Sequence, residues 1–289
     1  MNSNLERFNL SNVKFLKGKT ETETRTRTAV AGVTLMLTLM IAGGYFGTAI
    51  VAAVITAVMC FELSAVFLKL SDREEKTKVL LGIAWLTIFV NIFFLKSGFE
   101  CLLVSFIGLF LYFLTTAERH AQNLKAHFDE FVFMIFTTVY VVVFMSFLPL
   151  VRKGPNGIKW LLLFLLINWV GDVAAYFIGK KYGKQKLYPL ISPGKTVEGA
   201  MGGLVGSVLV ALIFKFAFFR DLSFVGVIFT SLFVGLFAQI GDLCESFFKR
   251  SYGIKDSGQI LPGHGGMLDR FDGVLFTLPI MYMCIRIFS

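Results

Sequence analysis

Carboxylates set inside long apolar stretches are the first residues in this sequence that could do chemistry. Asn168, Asp172 and Tyr176 follow one another at four-residue spacing, which puts them on one helix face. Asp242, Glu245, Ser246 and Lys249 repeat at three- and four-residue spacing. Asp269, Arg270 and Asp272 open another apolar run with both carboxylates on one face. A carboxylate at bilayer depth costs several kcal/mol unless it is paired, hydrated or bound to a cation. Three acidic stripes near one side of a membrane exceed what helix-end anchoring requires. Oxygen donors without histidine or cysteine suit a hard cation such as Mg²⁺, which leaves part of its shell to water and phosphates.

Two loops supply the opposite charge. One reads Lys249-Arg250, then Lys255-Asp256, then Pro262-Gly263-His264-Gly265-Gly266. Glycines let backbone approach a phosphate and offer N–H donors, while Lys and Arg neutralise it. A basic, glycine-rich loop beside clustered carboxylates matches the needs of metal-assisted phosphoryl or nucleotidyl transfer, although such loops also make plain turns. The other loop carries Ser192-Pro193-Gly194-Lys195-Thr196, with Glu198 at the following helix start. Its Gly-Lys-Thr is not a P-loop, because the first motif glycine would fall on Pro189 and no strand of a soluble domain precedes it. A lysine and hydroxyls near a helix N-terminus remain a natural anion site. Gly199, Gly202, Gly203 and Gly206 make overlapping small-xxx-small pairs, expected to bring two helices close.

The elements that position these groups are membrane helices. Of 289 residues, 56% are hydrophobic and 16% charged, and mean hydropathy is +0.73; a soluble domain carries about 25% charged residues. The expected fold is all-α and polytopic, with about nine transmembrane helices over 29–43, 46–68, 78–95, 99–116, 130–150, 158–178, 199–219, 224–247 and 270–288. The break at Gly43-Gly44 allows the first two to be a merged or re-entrant pair. Residues 1–28 read as a polar tail without a removable signal peptide. Residues 29–150 read as a transmembrane scaffold or assembly region whose main intramembrane charge is Glu62. Residues 151–289 read as the catalytic region, with loops 179–198 and 248–269 and a cavity open to the cytoplasm. About 21 of the 28 Lys and Arg fall on the side of the N-terminus and these loops, which makes that side cytoplasmic and puts the C-terminus outside. Net charge of +9 therefore reflects topology and attraction for anionic lipid or nucleotide, not nucleic-acid binding. Cys60, Cys101, Cys244 and Cys284 stand singly and read as small hydrophobes; three histidines argue against a His-based zinc site.

The run from Ser246 to Asp272 resembles the signature of the phosphatidate cytidylyltransferase (CDP-diacylglycerol synthase) family. Ser246, Lys249, Arg250, Lys255, Asp256, Gly258, Pro262, His264, Gly265, Gly266, Asp269, Arg270 and Asp272 are all in place. The Asn168-Trp169-x-x-Asp172 and Ser192-Pro193-x-Lys195-Thr196-x-Glu198-Gly199 segments look like features of the same family. The motifs cover about Asn168 to Asp272, while the first half is similar only in topology.

The resemblance implies an integral cytoplasmic-membrane enzyme that transfers CMP from CTP to phosphatidic acid, giving CDP-diacylglycerol and pyrophosphate. It implies Mg²⁺ held by Asp242, Asp269 and Asp272, with room for a second cation. Lys249, Arg250, Lys255 and Arg270 would balance the triphosphate and pyrophosphate. Ser246, His264, Gly265 and Gly266 would shape the phosphate turn. Ser192, Lys195, Thr196 and Glu198 would close the site, with Asn168 and Asp172 lining it at membrane depth. A homodimer is permitted by the apolar first half. Two alternatives stand: another membrane lipid nucleotidyl- or phosphotransferase, distinguished by its lipid acceptor, and a cation-coupled transporter, distinguished by counterflow without CTP consumption.

Overall fold

A computed structural model describes residues 30–68, 73–93, 98–154, 156–258, 260 and 265–288. The polar tail 1–28 and His264 lie outside the described residues. The chain is a succession of apolar helices: α1 (Val30–Ala42), α2 (Gly44–Phe67), α3 (Arg73–Phe93), α4 (Gly98–Thr116), α5 (Leu124–Thr137), α6 (Phe144–Lys153), α7 (Gly157–Tyr182), α8 (Val197–Phe218), α9 (Phe224–Ser251) and α10 (Leu268–Phe288). A π-helical turn, Thr138–Val143, joins α5 to α6 without interruption. The all-α expectation holds for everything except the loop after α7. There, β1 (Lys186–Tyr188) pairs antiparallel with β2 (Ser192–Thr196), in the register Lys186 to Thr196 and Tyr188 to Ser192.

Each of the nine expected spans overlaps a helix, but length and composition do not establish nine crossings. Six stretches of the described residues are long and apolar enough to cross: 44–66, 103–153, 157–182, 197–218, 224–251 and 268–288. The 51-residue stretch 103–153 is not one helix, because the 3₁₀ turn Ala117–Asn123 breaks it at His120, which has non-helical dihedrals. Helix α1 has 13 residues, roughly 20 Å at 1.5 Å per residue, against a hydrocarbon core of about 30 Å. It ends at the Gly43-Gly44 pair, where Gly44 takes a positive φ of 57° and redirects the chain.

Apolar burial gives little drive between helices in lipid, so close backbone contact and interhelical hydrogen bonds must hold the bundle. The α7–α8 pair supplies both. A Cβ on Gly203 would lie 3.0 Å from the Ala175 Cβ and 3.1 Å from the Gly171 carbonyl oxygen; one on Gly206 would lie 2.6 Å from the Ala174 Cβ. Ser207 Oγ donates to the Ile167 carbonyl (3.2 Å), and Gln239 on α9 donates to the Ala200 carbonyl of α8 (2.9 Å). The glycine stripe therefore has the packing role its spacing suggests. A second close crossing joins α9 to α10, where a Cβ on Gly241 would meet the Asp272 carbonyl at 2.8 Å and one on Gly273 the Ala238 carbonyl at 3.0 Å. The neighbours of these glycines are Asp242 and Asp272, so the crossing that packs the helices also sets two carboxylates side by side.

The two halves share one buried apolar cluster, including Met59 and Leu63 of α2, Met134 of α5, Phe164 of α7 and Leu275 and Met281 of α10. Cys60 and Cys284 are buried within the bundle as expected, whereas Cys244 is exposed.

Gly203→Val should lower the melting temperature in detergent, because overpacking a tight crossing costs about 1–3 kcal/mol. Gly82→Ala, where a Cβ meets nothing within 4 Å, should leave it unchanged or raise it. Equal melting of the two variants would contradict this account of α7–α8 packing.

Candidate functional site

The site is built where α7, α9 and α10 and the loop before α8 present their polar faces. Asp172, Asp242 and Asp272 lie within electrostatic reach of one another and of Lys195. Lys195, on β2, reaches the Asp242 Oδ2 at 2.5 Å. Ser246, one turn along α9, donates to the Asp242 Oδ1 at 3.4 Å. Asp272 accepts from the Gly273 amide at 2.7 Å. The acidic stripe of α7 thus meets those of α9 and α10, with one lysine for three carboxylates.

A second polar cluster flanks the first. Lys249 bridges Glu245 Oε2 (2.5 Å) and Asp269 Oδ1 (2.7 Å), and the two carboxylate side chains are 0% and 9% exposed. Asp269 also accepts from the Ser257 amide (3.0 and 3.2 Å) and from the Gly266 amide (2.9 Å). Its oxygens are committed to organising the loop, which sets it apart from the Asp172–Asp242–Asp272 group.

The foundation of that loop comes from the first half of the chain. Glu62 of α2 is 2% exposed. Its Oε1 accepts from the Met267 amide (2.8 Å) and its Oε2 from the Leu268 amide (3.0 Å) and the Ser257 hydroxyl (3.4 Å). Met267 immediately precedes α10 and Leu268 opens it, and backbone amides at a helix start have no partner inside the helix. A carboxylate there satisfies two of them and faces the positive end of the helix dipole. The two glycines of the loop make room for these acids. Gly265 has a φ of 83°, and a Cβ on it would lie 3.1 Å from Asp269 Oδ2; one on Gly266 would collide with the Ser257 hydroxyl and come within 2.9 Å of Glu62 Oε2. The described part of the His264-Gly265-Gly266 turn therefore closes on protein carboxylates.

Other expected site residues have structural partners. Asn168 is 3% exposed; its amide donates to the Phe164 carbonyl (2.9 Å), and its oxygen accepts from Thr277 of α10 (3.3 Å). Thr196 caps α8 by accepting from the Gly199 amide (3.1 Å). Glu198 accepts from the Lys184 and Gln185 amides (3.0 and 3.2 Å), pinning the turn after α7. Arg250 donates to the Ile254 carbonyl (3.3 Å). Arg250 at the end of α9, Lys255 in the loop and Arg270 at the start of α10 are exposed, and Ser192 is half-buried at the hairpin.

The donor set fits a hard divalent cation by its chemistry. Among the described residues, no three His, Cys, Asp or Glu side chains are arranged to hold a metal by themselves. Mg²⁺ does not require such a cage, since one or two carboxylates with water and phosphate oxygens complete its shell. Asp242 and Asp272 can provide that pair.

This is a helical membrane protein with an acidic cluster beside a basic, glycine-bearing loop. The cytidylyltransferase family matches residues 23–288, nearly the whole chain, and the protein belongs to that family. Similar proteins include the phosphatidate cytidylyltransferases of Bacillus subtilis (strain 168), 42% identical over 163 residues, and Staphylococcus haemolyticus (strain JCSC1435), 40% identical over 154 residues. These alignments take in 56% and 53% of this chain, and 61% and 58% of the relatives. The chain thus spans about three fifths of the length of the relatives it matches.

In the sequence Glu62 is an isolated intramembrane charge, and no motif ties it to the site. Its loss should release the start of α10. In Glu62→Ala, amide exchange at Met267 and Leu268 should accelerate by about tenfold or more, because a hydrogen bond to a charged group contributes about 1.5–3 kcal/mol. Unchanged protection at both amides would refute the capping role.

Proposed function

We propose that this protein transfers the cytidylyl group of CTP to phosphatidic acid, forming CDP-diacylglycerol and pyrophosphate. The observation that carries the reading is the meeting of Asp172, Asp242 and Asp272 with Lys195, beside the Lys249-centred cluster. It stands in a chain of the cytidylyltransferase family, whose relatives named above are phosphatidate cytidylyltransferases. The distribution of Lys and Arg supports a site facing the cytoplasm, where CTP is available.

In this reading an oxygen of the lipid phosphate forms a bond to the α-phosphorus of CTP. The bond from that phosphorus to the bridging oxygen breaks, and its electron pair leaves with pyrophosphate. The lipid phosphate is already anionic near neutral pH, so no side chain has to act as general base. Alignment and electrostatics then supply the rate. Asp242 and Asp272 would hold Mg²⁺, which when bound supplies positive charge against the phosphates. Lys195 sits on Asp242 and can transfer its charge to an arriving triphosphate. Asp269 is proposed as the residue that fixes Lys249 and the loop rather than as a third metal ligand, because lysine and two amides already claim its oxygens. Arg250, Lys255 and Arg270, exposed at the two helix ends and the loop between them, would meet the departing pyrophosphate.

The test is pyrophosphate release by purified protein in detergent with phosphatidic acid, CTP and Mg²⁺. Release should need all three and stop with EDTA. Asp272→Asn should lose about 100-fold or more in turnover, about 2.7 kcal/mol of barrier, while remaining folded. Release that persists without lipid, or an Asp272→Asn variant as active as the parent, would overturn the reading.

A further inference from the structure

Tyr140 lies in the π-helical turn Thr138–Val143 that joins α5 to α6, in the half of the chain that carries no motif. π-Turns inside α-helices are rare and occur frequently at functional sites. This one aims a tyrosine inward. Tyr140 is 4% exposed. Its ring stacks on Phe136 with centroids 5.3 Å apart, and packs against Phe276 of α10 at 5.7 Å and Phe144 at 6.4 Å. Phe276 is one helical turn from Asp272, so the ring is seated directly beside the acidic cluster.

The hydroxyl at the end of that ring faces polar company. It lies within electrostatic reach of Asp272, Glu245, Cys244 and Asp242, contributed by both α9 and α10. Among the described residues it has no hydrogen-bond partner. Buried tyrosine hydroxyls are nearly always paired, and an unpaired one is costly enough to need an explanation. A phenylalanine here would fill the same aromatic seat without that cost. A phenol is a donor, and its neighbours in the site are carboxylates that gather cations and phosphates.

We infer that Tyr140 is a substrate-binding residue whose hydroxyl donates a hydrogen bond to a phosphate oxygen of a ligand held at the Asp242–Asp272 cluster. The first half of the chain thereby contributes a group to the site itself and not only to its frame. The inference deepens the proposed function and rests on its reading of the cluster as a phosphate site. The phosphate belongs either to CTP or to phosphatidic acid, and the hydroxyl is the same donor in both cases.

The test is Tyr140→Phe in the full-length protein in detergent, compared with the parent in two measurements. The first is melting without ligand. The variant should melt at the same temperature or slightly higher, because the oxygen removed has no partner among the described residues. The second is affinity, from the rise in melting temperature with Mg²⁺ and either CTP alone or phosphatidic acid alone. One of the two affinities should fall about fivefold or more in the variant, and which one falls names the source of the phosphate. A lower melting temperature without ligand, or failure to fold, would show that the hydroxyl serves the protein's own packing and would overturn the inference. It is equally overturned if the variant binds both probes as the parent does, or if the parent binds neither. A parent that binds, with the loss seen in the variant, but releases no pyrophosphate would leave this inference standing while the cytidylyl-transfer reading fails.

Discussion

A buried carboxylate placed at the start of a helix holds this structure's polar centre together. Helix α10 begins inside the bundle, where its first amides cannot turn to water, and unsatisfied amides at membrane depth cost several kcal/mol each. Glu62 alone, nearly fully buried, would be equally costly. Brought together, each removes the other's penalty: two amides and a hydroxyl donate to the carboxylate, and the helix dipole favours its charge. Everything downstream takes its position from this contact. Ser257, whose hydroxyl donates to Glu62, also donates its amide to Asp269, as does Gly266; Asp269 holds Lys249; and three residues beyond Asp269 the same helix presents Asp272 to Asp242.

The charge arrangement around that contact is deliberately unequal. Lys249 lies between two nearly buried carboxylates, and its geometry leaves little room for anything else. On the other side, Lys195 meets only one of three neighbouring carboxylates, in a pair that is more accessible than its counterpart. A closed cluster and an open one therefore stand side by side. The closed cluster fixes the loop and the helix start. The open one carries an excess of negative charge, with Lys195 against Asp172, Asp242 and Asp272. This division explains why carboxylates only three positions apart on α10 have different surroundings.

Much of the fold was legible in the sequence. Long apolar runs marked each membrane helix, and the glycine spacing of α8 foretold its crossing with α7. Helix ends were less visible. Helices α7 and α9 continue past their apolar runs to Tyr182 and Ser251, through last turns that carry Lys180, Lys181, Lys249 and Arg250. Cations are favoured at helix C-termini, a preference that hydropathy does not register. The hairpin of β1 and β2 was missed because two strands of three and five residues have too few alternating positions to be seen. Within the site, the acidic stripes were readable because each is local to one helix. Which stripes meet, and that Asp269 parts from Asp272, depends on helix crossings. Glu62 meets Leu268 across 206 positions of chain, and no periodicity connects them.

The division into a scaffold or assembly region over 29–150 and a catalytic region over 151–289 follows motif density, and polar contacts run across that division. A helix that only spans the membrane is cheapest when it is wholly apolar. The first half departs from that rule at Glu62, whose carboxylate is spent on the start of α10, and at the turn that carries Tyr140. Neither departure stabilises its own helix: the glutamate completes hydrogen bonds that belong to another helix, and the π-turn gives up regular ones of its own. Local costs of this kind persist where the group they place is needed elsewhere. The first half is therefore tied to the site through polar groups, and the bundle packs as one unit because its acidic centre draws on both ends of the chain.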